Sequence, residues 1–227
     1  SLLIQVLFFL NFLFSETFIY EAGFRFFNAG TAIIEIEKIT YKDSSANKIN
    51  YKIKTNSFLD KFYMIRDEID LIVDSYDYSL ISINKNIKQG RYTEKYEYKV
   101  NSDSILNLNS QISDDNIKKT YYDPIGAIFM LRKENLQIGN QFSFFTFDMG
   151  QINEVLVVVE SIENIDVPAG NFDCFKVTPQ SSDGKNLFKN GGDMRIWYSL
   201  DSKHLPVRVE QKSNYGTIVL KLKSAID

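Results

Sequence analysis

Between residues 47 and 57 the chain alternates strictly: Ile49, Tyr51, Ile53 and Thr55 stand at odd positions, with Lys48, Asn50, Lys52 and Lys54 between them. Successive side chains of an extended strand point to opposite faces, so a period of two gives one apolar row and one charged row, a pattern that a helix cannot use. The alternation recurs along the chain. Ile34 and Ile36 alternate with Glu35 and Glu37, Ile81 and Ile83 with Ser82 and Asn84, and Tyr92, Tyr96, Tyr98 and Val100 oppose Arg91, Thr93, Lys95, Glu97 and Lys99. The aromatic-rich residues 18–27 end at Asn28-Ala29-Gly30 and read, with the strand after them, as an opening hairpin. Asp74-Ser75-Tyr76-Asp77 is turn chemistry between two further strands.

Later stretches continue the meander. Residues 154–162 are nearly all apolar, with Val155, Val157 and Val159 on one face and Leu156, Val158 and Ile162 on the other, so a strand buried on both faces is expected. Strands are also expected over 142–147, 172–178, 193–199, 205–212 and 215–223. The turns at 190–193 and 213–216 are not phosphate loops, because no helical pattern follows them to supply an anion-binding N-terminus. Residues 101–116 are rich in Ser, Asn and Asp and predict a weak hairpin or a loop. One helix interrupts the strands: Asp123 offers an N-cap acceptor, Pro124 suits the first helical position, and Ile125, Ile128, Phe129 and Arg132 follow at helical spacing. It should run over about 124–134 and plug one side or end of the sheet. The fold class is therefore all-β: a single domain over 16–227, an antiparallel and strongly curled sheet or an open barrel or sandwich, with one short helix.

Composition decides what this domain needs from outside. With 44% hydrophobic and 14% aromatic residues it can bury a core without metal or disulfide. A net charge of -3, with both signs interspersed, lacks the basic footprint of nucleic-acid binding. Residues 1–14 carry no charge and only Gln5 and Asn11 interrupt the apolar run after Ser1, which is the apolar core of a signal peptide. The run falls short of the roughly 20 residues that span a bilayer. Cleavage near Ser15 would give an exported, periplasmic protein, soluble and without a stable membrane span. The single cysteine, Cys174, lies in a strand pattern beside Phe172, Phe175 and Val177, and reads as a buried small hydrophobe.

Chemistry-bearing motifs are sparse. His204 is the sole histidine and sits in a polar turn, so the usual His/Cys zinc site cannot form, and Asp114-Asp115-Asn116 is too short for a calcium loop. No Gly-x-Ser-x-Gly elbow occurs. No metal, cofactor or catalytic residue is expected, although two carboxylates brought together by folding could still hydrolyse a glycan. The excess of aromatics together with export points to a hydrophobic or amphiphilic ligand, such as a lipid or glycolipid, in a β-lined cavity. The residues best placed to meet it are Asp123, Arg132, Trp197, Tyr96 and Tyr98. Each has a plainer role: Asp123 and Arg132 as N-cap and as a charge at the helix C-terminus, the aromatics as strand packing. The alternative is a structural or interaction module with a filled core, partnered through a strand edge.

Several landmarks occur in order: Asp123-Pro124-Ile125-Gly126-Ala127-Ile128-Phe129-Met130-Leu131-Arg132, Ile138-Gly139, the run Val167-Pro168-Ala169-Gly170-Asn171-Phe172-Asp173-Cys174-Phe175-Lys176-Val177, and Ile196-Trp197-Tyr198-Ser199 with Asp201 and Leu205-Pro206-Val207. Together they resemble the bacterial family called domain of unknown function 3108. The resemblance covers most of 18–224 and implies an exported, β-rich envelope protein with no assigned catalytic residues. Pro168, Gly170 and Asp201 read as residues that shape turns.

Overall fold

A computed structural model describes residues 15–24, 27–100, 105–107, 113–114, 120–181, 193–213 and 216–227. The apolar run expected to be a signal peptide lies outside the described residues, as do most of 101–116 and the turn at 190–192. Fifteen strands form one sheet: β1 Ser15–Phe24, β2 Phe27–Tyr41, β3 Ser44–Thr55, β4 Arg66–Asp74, β5 Leu80–Gln89, β6 Tyr92–Val100, β7 Ile105–Asn107, β8 Ser113–Asp114, β9 Tyr121–Tyr122, β10 Gln141–Asp148, β11 Gln151–Val167, β12 Gly170–Ser181, β13 Met194–Ser199, β14 Pro206–Ser213 and β15 Gly216–Ile226. Neighbours in the chain are neighbours in the sheet, except that β1 pairs with β15, so the two edges are β8 and β9 in the middle of the chain. All ladders are antiparallel but β9–β10, which runs parallel because helix α1, Pro124–Leu131, carries the chain across between them.

The period-two pattern becomes the core through register. Ile36 pairs with Ile49, Ile49 with Leu71, Leu71 with Ile83 and Ile83 with Tyr98, a continuous buried row across five strands. The residues between them stay wet on the other face, where Lys52 and Glu68 pair at 3.0 Å. In β11 the expectation is corrected: Val155, Val157 and Val159 are buried, but Leu156 and Val158 are half-buried and Ile162 is exposed. The strand bulges after Val159, and its second face has no covering layer of its own.

Helix α1 lies against the buried face at one end of the curled sheet. Asp123 caps it, its side chain accepting from the Ile125 amide at 2.8 Å. All of Gly126 to Leu131 is buried. Phe129 packs on Phe18 of β1 with ring centroids 5.2 Å apart, and the buried Tyr198 hydroxyl of β13 donates to the Ile128 carbonyl at 2.9 Å. The helix stops three residues earlier than its periodicity predicts, because His204 Nδ1 lies 3.0 Å from the Arg132 carbonyl and the following amides turn back on Met130 and Leu131. The end it closes is built from the start of β1, the β4–β5 turn and the β13–β14 turn.

The β11–β12 hairpin turns through Pro168-Ala169, with Gly170 at φ 133°, a conformation that side chains with a Cβ rarely adopt. Its tip is docked: the Ala169 amide donates to the Leu222 carbonyl of β15 at 3.0 Å. The run at 167–177 therefore ties a hairpin to β15.

Candidate functional site

Because β8 and β9 are the sheet's edges, the curled sheet has a seam, and the two sides meet there through side chains. On the β5–β6 side, cross-strand pairing puts Tyr98 beside Ile83, Tyr96 beside Lys85 and Tyr92 beside Gln89, all on one face. On the other side stand β9 and β10. Tyr98 meets Phe147 of β10 edge-on, with centroids 4.9 Å apart. Tyr121 and Tyr122 of β9 make similar edge contacts with Phe145 and Phe144.

An ion cluster spans the same seam. Lys85 Nζ lies 2.8 Å from Asp123 Oδ2 and 2.5 Å from Asp148 Oδ1, so one ammonium on β5 joins the carboxylates that flank β9, α1 and β10. The side chain of Lys85 is 7% exposed and that of Asp123 0%, whereas Asp148 reaches water. Burial pulls the Lys85 ammonium down, but the carboxylates of Asp123 and Asp148 outweigh it and hold the lysine above its ordinary range. Burial pushes the Asp123 carboxyl up, with Lys85 opposing and Asp148 adding to the rise. Lys85 was legible as an anomaly, a lysine at the inward position between Ile83 and Ile87 of an alternating strand. Asp148 had no such signal, because its role depends on a partner brought from β5.

The residues singled out from the sequence do not converge. Asp123 is the helix cap and half of the buried ion pair. Arg132, at the other end of α1, pairs with Glu16 at 2.7 Å, donates from Nε to the Lys203 carbonyl, and lies over the rings of Phe18 and Phe129. Trp197 is buried on β13, donating to Glu163 at 2.9 Å under the Arg208 guanidinium. Tyr96 and Tyr98 do stand at the seam, with the Tyr96 hydroxyl 3.0 Å from that of Tyr92. Asp201 orders its turn by accepting from Ser199 Oγ and the Lys203 amide. His204 is half-buried against Phe175, not a solvated turn residue. Two hollows among the described residues are open and polar, one of about 350 Å³ between Glu68, Asp70, Asn84, Asn86, Lys95, Tyr96 and Glu97, the other of about 170 Å³ beside Arg195 and Glu210. Among the described residues no group of His, Cys, Asp and Glu is arranged to hold a metal ion.

The class that the strands define is an open, barrel-like single sheet plugged by a helix. The protein of unknown function family DUF3108 matches residues 19–223, and the chain belongs to that family. Among solved structures, a β-barrel-like protein of the domain of unknown function DUF1849 from Brucella abortus is similar over 93% of this chain and 96% of that one, at 12% identity and a TM-score of 0.62. That likeness shows the fold. A protein named as exported, with a YmcC-like fold, from Bacteroides fragilis aligns over 93% of this chain and 95% of that one, at 12% identity and a TM-score of 0.33. A protein named as a lipoprotein, from Parabacteroides distasonis, does so over the same shares at 13% and 0.31. No curated protein matches the chain.

Proposed function

We propose that the protein is a non-catalytic, exported envelope protein that takes up an amphiphilic molecule through the seam. The observation that carries this reading is the way the seam is held. Elsewhere the wall is a ladder of backbone hydrogen bonds, but across the seam Tyr98 and Phe147 meet as rings and Lys85 meets Asp123 and Asp148 as charges. Parting these groups breaks no strand ladder, and the face so opened is aromatic beside a polar ion cluster, suited to an acyl chain and a polar head group. Export is supported by the uncharged apolar run at 2–14. No helix among the described residues is long and apolar enough to cross a membrane.

The burial of Asp123 supports a non-catalytic role. A glycan hydrolase needs both carboxylates at the substrate, whereas Asp123 is fully buried, caps a helix and faces a lysine that also holds Asp148. A second reading, a structural module with a filled core, draws on the packing of Phe129 and Leu131 inside the plugged end. Native mass spectrometry of protein recovered from the periplasm separates the two. Ligand uptake predicts a co-purifying amphiphile that a competing fatty acid displaces, and that Phe147→Ala, which alters the seam, retains less well. Repeated recovery of ligand-free protein that takes up no added fatty acid or lysophospholipid would leave the filled module.

A further inference from the structure

The end of the sheet opposite α1 carries a concentration of exposed aromatics. In an antiparallel meander the turns β1–β2, β3–β4 and β5–β6 all lie at the end away from the β4–β5 turn, which packs near Gly126 of the helix. Six of the seven exposed large aromatics among the described residues stand there: Phe24, Phe27, Phe58, Phe62, Tyr63 and Tyr92. Phe62 is 75% and Phe58 66% exposed, and their rings lie 5.6 Å apart in the β3–β4 connection. These residues do not sit on loose loops. The Asn56 amide donates to Ala29 at 2.8 Å and the Gly90 amide to Met64 at 2.8 Å, fastening the three turns side by side, while Arg66 and Asp60 brace the β3–β4 connection as an ion pair.

Unpaired cations outnumber unpaired acids around this rim. Lys54, Lys61, Lys88 and Arg91 are exposed at the same end and none forms an ion pair among the described residues. Of the nearby acids, Asp60 is paired with Arg66 and Asp67 is buried under the Lys88 amide and Gln89, while Glu94 keeps its charge and accepts from the Tyr92 hydroxyl. Exposed aromatic rings among unpaired cations match the boundary of a bilayer, where rings settle at head-group depth and Lys and Arg meet anionic phosphates. A second copy of the chain set against this face would bring like charges together.

We propose that this end docks on the surface of an anionic lipid bilayer. The proposal goes beyond the seam reading, because docking uses neither the ion cluster nor any bound ligand. Flotation with vesicles of phosphatidylcholine, with and without phosphatidylglycerol, tests it. Wild-type protein should float with the anionic vesicles and lose the association as salt rises. Phe58→Ser with Phe62→Ser, and separately Lys61→Glu with Arg91→Glu, should each cut the bound fraction about tenfold. Tyr76→Ser, at the opposite end and 84% exposed, should float like wild type. All of these positions are exposed, and unchanged thermal midpoints confirm that the variants are folded. Failure of wild type to float, equal flotation of the rim variants, an equal loss with Tyr76→Ser, or a dimer abolished by Phe62→Ser in place of flotation would overturn the proposal. Fatty-acid uptake measured on the same samples reports the seam reading separately.

Discussion

Replacing Lys85 by Met removes the cation between two carboxylates while keeping most of the length of the side chain. Asp148 can turn to water, since it is 37% exposed, but Asp123 has nowhere to go: it is 0% exposed and held in place by its cap bond to Ile125. Breaking a buried pair by removing one partner costs about 3–5 kcal/mol. For a domain of this size each kcal/mol moves the thermal midpoint by about 2–4 °C, so Lys85→Met should melt about 6–20 °C below wild type at neutral pH. The deficit should depend on pH in a defined direction. Burial already raises the Asp123 carboxyl and Lys85 opposes the rise, so the variant raises it further. An acid whose folded pKa stands above its unfolded value binds its proton more tightly when folded, so stability is regained as pH falls toward the unfolded value. Lys85→Met should therefore approach wild type on acidification, and Lys85→Met with Asp123→Asn, which keeps a capping side chain and removes the charge, should recover most of the loss at pH 7. Calorimetry across pH reads all three. A deficit below about 1 kcal/mol, or one that neither acid nor Asp123→Asn relieves, would refute the account of a charge that must stay paired.

Other expectations follow from single contacts. Gly170→Val places a β-branched residue at φ 133°, where a Cβ meets Phe172 only at an ordinary 3.8 Å, so backbone strain should cost about 1–3 kcal/mol, read as a lower urea midpoint with an unchanged slope. Phe129→Ala removes the side chain that seats α1 on Phe18 and should cost about 3–5 kcal/mol. Burial pushes the Cys174 thiol up to about 12, so a thiol reagent should leave the folded protein unlabelled at neutral and mildly alkaline pH and modify one group on unfolding. Rapid labelling of native protein would place Cys174 elsewhere than in the core.

Much of the fold is legible in the sequence, because alternation is a local property. Ile49, Tyr51 and Ile53 announce their face within one strand, and Asp123-Pro124 announces a helix within two residues. What was not legible is which strands meet at a distance. The pairing of β1 with β15 has no local signature, and the open seam follows from that closure. The site suffered the same loss. Asp123 and Arg132 stood out because they mark the two ends of one helix, yet the partner of Asp123 is Lys85, on a strand with no sequence link to the helix, and the partner of Arg132 is Glu16 at the start of β1. Trp197, conspicuous as a lone tryptophan, is accounted for by Glu163 and Arg208 within its own half of the sheet.

The neighbouring of β1 and β15 also bears on how the chain reaches its shape. Thr17 pairs with Ile226, so β1 is half-paired until β15 arrives, and every other ladder can zip up locally while that one waits. Contacts so distant in sequence slow folding and leave a long apolar edge open to other chains in the meantime. A circular permutant that links the end of β15 to the start of β1 and opens the chain between β8 and β9 would make every pairing in the sheet one between consecutive strands. It should fold faster than the natural order to the same sheet, with the Lys85 cluster as the last contact to form.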